Sequence, residues 1–189
     1  MNRWILGFGT LLAVVYPWSL PFLATLGFAE PSADSVSGYI ANAHATGMMA
    51  AISGIPLYFI VRFQESIHDP TLFLIATQRV FLFGYAAFLV CTVTWAPTLH
   101  FVVVAAFCVA YVLHSAAVLQ CYSSHAGRAC LTVGAAAEVC LLFVEGHAFW
   151  AVECVGFAAL VLFTPLEAWA ERREQDNPKQ TFISEPCDR

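Results

Sequence analysis

The sequence predicts an all-α fold, a polytopic membrane helix bundle of six transmembrane helices with both termini on the cytosolic side. Three observations carry that expectation. Hydrophobic residues make up 60% of the 189-residue chain and charged residues only 11%, with a mean hydropathy of +0.73, whereas a soluble domain carries nearer ~25% charge. The apolar residues fall into six runs, each close to the ~20 residues that cross a ~30 Å hydrocarbon core. With six crossings, all 8 Lys and Arg residues lie on one side, as the positive-inside rule requires of the cytosolic face.

The first run, about 4–28, follows Arg3 and precedes the polar stretch from Glu30 to Ser35. Gly27-Phe28-Ala29 has the small-x-small form of a cleavage site, but the run is longer than the ~7–15 residues of a signal h-region. An uncleaved helix bent by Pro17 and Pro21 is therefore expected. The second run, about 40–61, stacks Thr46, Ala50 and Gly54 on one stripe and Gly47 with Ala51 on the next. Small residues at that spacing let helices approach closely in lipid. A loop from Arg62 to Arg79 follows, broken by Pro70, with Leu72 to Ala76 expected as an interfacial segment.

Four further spans are expected at about 80–96, 99–121, 129–144 and 149–169. They complete one transmembrane domain over 1–170. The remainder, 171–189, is rich in charge, Gln, Asn and Pro and is expected to be a disordered cytosolic tail. Arg3, Arg62, Arg79, Arg128, Arg172, Arg173, Lys179 and Arg189 then face the cytosol, while the connections 29–39, 97–98 and 145–148 contain neither Lys nor Arg. Trp4, Trp18, Trp95, Trp150, Trp169, Tyr39 and Tyr122 lie near span ends, where amphipathic rings favour the headgroup level.

Several function classes lose support. There is no basic stripe for nucleic acid, no Gly-rich phosphate loop and no CxxC or Cys/His zinc spacing, so neither a cofactor nor a metal is expected. Ser53 and Ser115 lack any nucleophile motif, and no catalytic residue is assigned. Of 7 cysteines, Cys91, Cys108, Cys140 and Cys154 fall inside apolar runs and behave as small hydrophobes. Cys121 and Cys130 flank a short basic loop, a setting that suits palmitoylation.

Polar residues inside the apolar runs carry the informative chemistry. Intramembrane acids are expensive and point to function or to a specific partner. Glu138 lies about 10 Å below Glu145, and Glu153 about 9 Å below His147, at 1.5 Å per residue. The two acids thus occupy similar depths on adjacent antiparallel helices. His44 enters the second span and His100 opens the fourth from the same side, and Asp34, Glu145 and His147 complete an outer-face polar group. Three uses of the cluster Glu138, Glu153, His44 and His100 stay open: cross-helix hydrogen bonding, a site for a proton or ligand in which two acids titrate as a coupled pair, and a metal site. His114 shares a stripe with Phe107, Tyr111 and Val118 and is expected to be a satisfied core imidazole.

The fourth span, LHFVVVAAFCVAYVLHSAAVLQCY opening on His100, is followed by a short basic loop, a fifth span from Arg128, and AVECVGFAALVLF with Glu153 early in the sixth. This order, with Phe157 and Phe163 after Glu153 and an aromatic-to-Arg step from Phe59 to Arg62, resembles the Frag1/DRAM/Sfk1 family of six-span membrane proteins. The resemblance does not extend to Glu138 or His114. It implies a non-enzymatic regulator of autophagy or of endomembrane lipid processes, resident in lysosome, Golgi or ER rather than plasma membrane, with membrane lipids and a membrane-protein partner as its contacts. The residues alone leave open a small proton- or cation-linked transporter using Glu138 and Glu153, and an intramembrane lipid-modifying enzyme.

Overall fold

The computed structural model describes residues 3–31, 33–65, 71–94, 96–121 and 124–176, with side chains described except at 3, 4, 6, 63–65, 121, 164 and 167–176. Regular structure among them is helical throughout: α1 (Arg3–Thr25), α2 (Val36–Tyr39), α3 (Ala43–Glu65), α4 (Leu72–Val90), α5 (Pro97–Cys121), α6 (His125–Cys140) and α7 (His147–Asp176). Among the described residues, four helices are long and apolar enough to cross a membrane, namely α1, α3, α4 and α5. α7 carries a shorter apolar stretch, His147–Phe163. α6, with 16 residues, rises only about 24 Å.

Local hydrogen bonding explains where helix ends depart from expectation. The run expected at 40–61 is preceded by α2, whose N-cap Ser35 accepts from the Gly38 N–H at 2.9 Å. α3 then starts where the Asn42 side chain accepts from the His44 N–H at 2.9 Å. α4 starts at Leu72 instead of 80, because the Thr71 hydroxyl caps it by accepting from the Leu74 N–H at 3.2 Å. Leu72 to Ala76 therefore belongs to a helix long and apolar enough to cross a membrane and is not a separate segment. Ser124 caps α6 in the same way, accepting from the Gly127 N–H at 2.8 Å, so that helix starts at His125 instead of 129. α7 continues as helix to Asp176, past the expected start of the tail at 171; residues 177–189 lie outside the described residues.

Pro17 and Pro21 lie inside α1, which remains one helix. Pro21 has no N–H to give to the carbonyl four residues back, so the Pro17 carbonyl is left over. The Trp150 indole N–H of α7 donates to it at 3.2 Å. Trp150 also meets Trp18 edge-on at 5.4 Å and Tyr39 at 6.4 Å. Three of the aromatic residues expected at span ends thereby form one cluster tying α1, α2 and α7 together.

α4 with α5 and α6 with α7 form the two most intimate hairpins; α1 packs on α3 and α7, α5 on α6, and α3 meets α4 only narrowly. The main core runs from Tyr16, Leu20 and Tyr39 to Phe81, Phe88, Phe107 and Tyr111. A second, smaller cluster of Leu74, Ala117, Val118 and Phe163 lies apart from it, toward the α5–α6 connection. Outside the core, large apolar side chains stand exposed, with Leu72 at 82% and Phe83 at 81%. A surface of that kind suits lipid, since water-facing surfaces keep such patches small. Gly47, Ala50, Ala51 and Gly54 are exposed too, with open space beyond Gly47 and Gly54. These glycine and alanine positions of α3 thus face outward, and among the described residues no close helix contact is made beyond Gly47 or Gly54.

Candidate functional site

The two acids of the α6–α7 hairpin line one cavity. It measures about 450 Å³ including its open mouth and lies between Phe88 of α4, Cys108 of α5, Glu138 of α6 and Glu153 of α7. α5 and α7 face each other across it instead of packing together, while α6 closes on both. The rest of its wall is apolar, with Val104, Phe107, Leu141, Val152, Phe157 and Leu160. Matched depth on antiparallel helices, read from the 1.5 Å rise, is what delivers both carboxyl groups to one space.

Their surroundings differ. The Glu153 carboxylate accepts a hydrogen bond from the Val36 N–H at 2.5 Å. Val36 is the first residue of α2, and the N–H of a helix's first residue has no carbonyl partner within the helix. Glu153 therefore fastens the α1–α3 connection to α7, which is the cross-helix role weighed for it above. Glu138 has no described backbone N–H against it. Its carboxyl group lies against the Cys108 thiol and within electrostatic reach of Glu153, and Gly156 opposite leaves room for it, a Cβ there falling 3.6 Å from Oε1.

The histidines do not join the acids. His44 is exposed at the start of α3, away from the cavity wall. His100 is buried, and its Nδ1 lies 2.5 Å from the Cys91 carbonyl. A carbonyl only accepts, so Nδ1 carries the proton, and His100 satisfies the end of α4 across the hairpin turn. That bond accompanies the end of α4 at Val90, short of the expected 96. The His100 ring touches Phe88, one of the cavity residues, at 5.8 Å without entering the cavity itself. Among the described residues, no group of three or more His, Cys, Asp or Glu side chains is arranged to hold a metal ion.

Asp34 and His147, both expected on the outer face, are brought together, with Nδ1 to Oδ1 at 3.5 Å. Both side chains are mostly exposed, so the pair is screened and weak. Glu145 is exposed in the α6–α7 connection. Tyr39, buried beneath this face, has its phenol pushed above the ordinary tyrosine value by burial first and by the Asp34 carboxylate second. Cys130 is half-buried against the smaller cluster, and the Cys121 side chain lies outside the described residues, as do Trp95 and Tyr122.

Two features were not singled out as functional from the sequence. Cys108 lines the acid cavity, where its place in an apolar run pointed only to packing. His114 was expected to be satisfied, yet its Nδ1 is buried without a hydrogen-bond partner, as are the Tyr111 and Ser115 hydroxyls. The legible signal was Cys108, Tyr111 and Ser115 at i, i+3 and i+7 on an otherwise apolar helix, which places three polar atoms on one face. Comparison with protein-family models, curated proteins and solved structures gave no match to this chain.

Proposed function

We propose that the chain is a non-enzymatic six-span membrane protein, both termini cytosolic, in which the cavity between α5, α6 and α7 binds a proton or small cation at Glu138 and couples it to transport. The observation that carries this reading is the division of labour between the acids. Glu153 is occupied by a backbone amide. Glu138 faces the same apolar-walled cavity with the Cys108 thiol and the other acid beside it and, among the described residues, no backbone amide against it. A carboxyl group in such a place is disposed to exchange its charge for a proton or to accept a cation.

The six-span count draws support from contacts across the bundle. Asp34 meets His147, and Val36 meets Glu153. These put the α6–α7 turn beside the α1–α3 connection. If α1, α3, α4 and α5 each cross, that turn is on the side opposite the α5–α6 connection, and α6 and α7 cross as well.

Proteoliposomes containing a pH-sensitive dye test the transport reading. Glu138→Gln is expected to lower proton or cation flux by about tenfold or more, while a correctly folded protein with no flux, or a Glu138→Gln variant with unchanged flux, would defeat it. A second reading, the Frag1/DRAM/Sfk1-like regulator of endomembranes, is favoured by one observation: Glu153, the acid on which that resemblance rests, holds α2 in place. Tagged protein absent from lysosome, Golgi and ER alike counts against that alternative.

A further inference from the structure

The cavity does not account for all the buried polarity of the bundle. Continuing along α5 from Cys108 toward the α5–α6 connection, Tyr111, His114 and Ser115 follow on the inward side, at 3%, 5% and 0% exposure. The Tyr111 hydroxyl, His114 Nδ1 and Ser115 Oγ all lack hydrogen-bond partners, and so does the Nε2 of Gln78 on the adjoining α4. Tyr111 and Ser115 lie close enough to influence one another without either completing a bond. Thr77 is different, because its hydroxyl donates to the Phe73 and Leu74 carbonyls at 2.9 and 3.1 Å. Nearly every buried polar atom in a folded protein is paired, with protein or with ordered water. Thr10 Oγ1, the Tyr85 hydroxyl and His100 Nε2 are unpaired too, but singly and elsewhere; those of Tyr111, His114 and Ser115 are grouped along one stretch of α5, a seam of the kind that bound water completes.

Apolar matter bounds this seam on both sides. Phe81 stacks on His114 at 5.9 Å and on Phe107 at 5.4 Å, belonging to the main core. Beyond Ser115, the separate cluster of Leu74, Val118 and Phe163 closes the bundle. Toward the cavity the seam is continuous, because the Tyr111 ring lies on α6 at Gly134, one turn from Glu138, and is within electrostatic reach of that carboxylate.

We propose that Tyr111, His114 and Ser115 enclose ordered water and form a proton relay joining Glu138 to the α5–α6 end of the bundle, with Leu74, Val118 and Phe163 as its apolar gate. This deepens the proton reading of Glu138 and rests on it. A proton arriving at His114 Nδ1 leaves to a water oxygen, passes along the Ser115 and Tyr111 hydroxyls, and ends on the Glu138 carboxylate. At each hop one N–H or O–H bond breaks as one O–H bond forms, so a single proton moves and no electrons are exchanged. The groups around His114 suit this. Phe81 covers it from α4; Tyr111 and Ser115 neighbour it on α5; Cys130 and Glu138 act from α6 on Tyr111; and α7 contributes Phe163 to the gate. Arg79 and Arg128 are exposed, and among the described residues no charged group acts on His114 itself.

Two measurements test the relay. Radiolytic hydroxyl labelling of the unmodified protein in nanodiscs modifies buried side chains where bound water adjoins them. Tyr16 is the internal control, being equally buried with its hydroxyl donated to the Ala45 carbonyl at 2.7 Å. Labelling of Tyr111 several times that of Tyr16 is expected; equal labelling would show a dry seam and overturn the proposal. In proteoliposomes, His114→Gln, which keeps a polar side chain but takes no proton, and His114→Phe are both expected to reduce proton flux by about tenfold. Wild-type flux in His114→Gln with flux abolished in Glu138→Gln refutes the relay and leaves the Glu138 reading standing. Flux unchanged in Glu138→Gln, or absent from the unmodified protein, refutes both.

Discussion

Glu138 and Glu153 are alike in sequence context and unlike in work, and the difference is a single backbone amide. Removing the Glu153 carboxylate strands the Val36 N–H, which costs about 1–3 kcal/mol when buried. Glu153→Ala is therefore expected to lower the unfolding temperature in detergent and to loosen the α1–α3 connection to protease, with Glu153→Gln milder because its amide oxygen still accepts. Glu138→Ala strands no described backbone group and is expected to unfold closer to wild type; equal destabilisation by the two alanines would contradict this assignment. Tyr39 adds a pH dependence to the same corner. Its phenol value is raised in the fold by burial and then by Asp34. The folded state thus holds that proton more tightly than the unfolded chain. The associated stability is complete below tyrosine's ordinary value and is lost as pH rises through the higher folded value. Tyr39→Phe is expected to flatten part of the alkaline fall in unfolding temperature. Depth along a helix follows from counting residues, so the pairing of the acids was readable. The Val36 amide, 117 residues away in the chain, was not.

Among the helices, backbone groups that prolines and close approaches leave over decide which side chains matter. Pro21 frees the Pro17 carbonyl, and Trp150 occupies it. Trp150→Phe preserves an aromatic face for Trp18 and Tyr39 but removes the donor, and is expected to cost about 1 kcal/mol, read as a modest fall in unfolding temperature. A fall as large as that of Trp150→Ala would assign the effect to packing instead. At Gly134 a Cβ would lie 2.9 Å from the Tyr111 ring and 3.0 Å from its hydroxyl. Tyr111, on α5, is buried between Phe81 of α4 and Gly134 of α6, so it has little freedom to retreat. Gly134→Ala is expected to destabilise by about 1–3 kcal/mol and to lower proton flux by moving the Tyr111 hydroxyl. The short α2, VSGY, was not legible in the sequence, whereas the six long helices were, because each contains an apolar run. Their ends were not, since Thr71 and Ser124 act as caps through hydrogen bonds that composition does not reveal. The outward aim of Gly47 and Gly54 was equally hidden, because a small-residue stripe marks a face suited to contact without naming what meets it.

For the whole molecule, the decisive issue is whether the α6–α7 hairpin crosses the membrane. Taken alone, α6 is short at 16 residues, about 24 Å. The chain beyond it stays apolar, with Leu142 and Phe143 at 79% and 80% exposure, and tilt or local bilayer thinning accommodates a mismatch of a few ångströms. A re-entrant hairpin would return its turn to the side of Arg128 or stop it at mid-depth. Either arrangement conflicts with the Asp34–His147 and Val36–Glu153 contacts unless the α1–α3 connection is also drawn into the hydrocarbon, where exposed Glu30 and Asp34 would be costly. Single cysteines placed in a background without the native thiols separate the cases. Asp34→Cys and His147→Cys are expected to react with a membrane-impermeant maleimide added outside, or on the lumenal side of an endomembrane. Arg62→Cys and Arg128→Cys are expected to react only from the cytosol. Cytosolic labelling at both His147→Cys and Arg128→Cys would reduce the count to four crossings and detach the Glu138 cavity from any route through the bilayer.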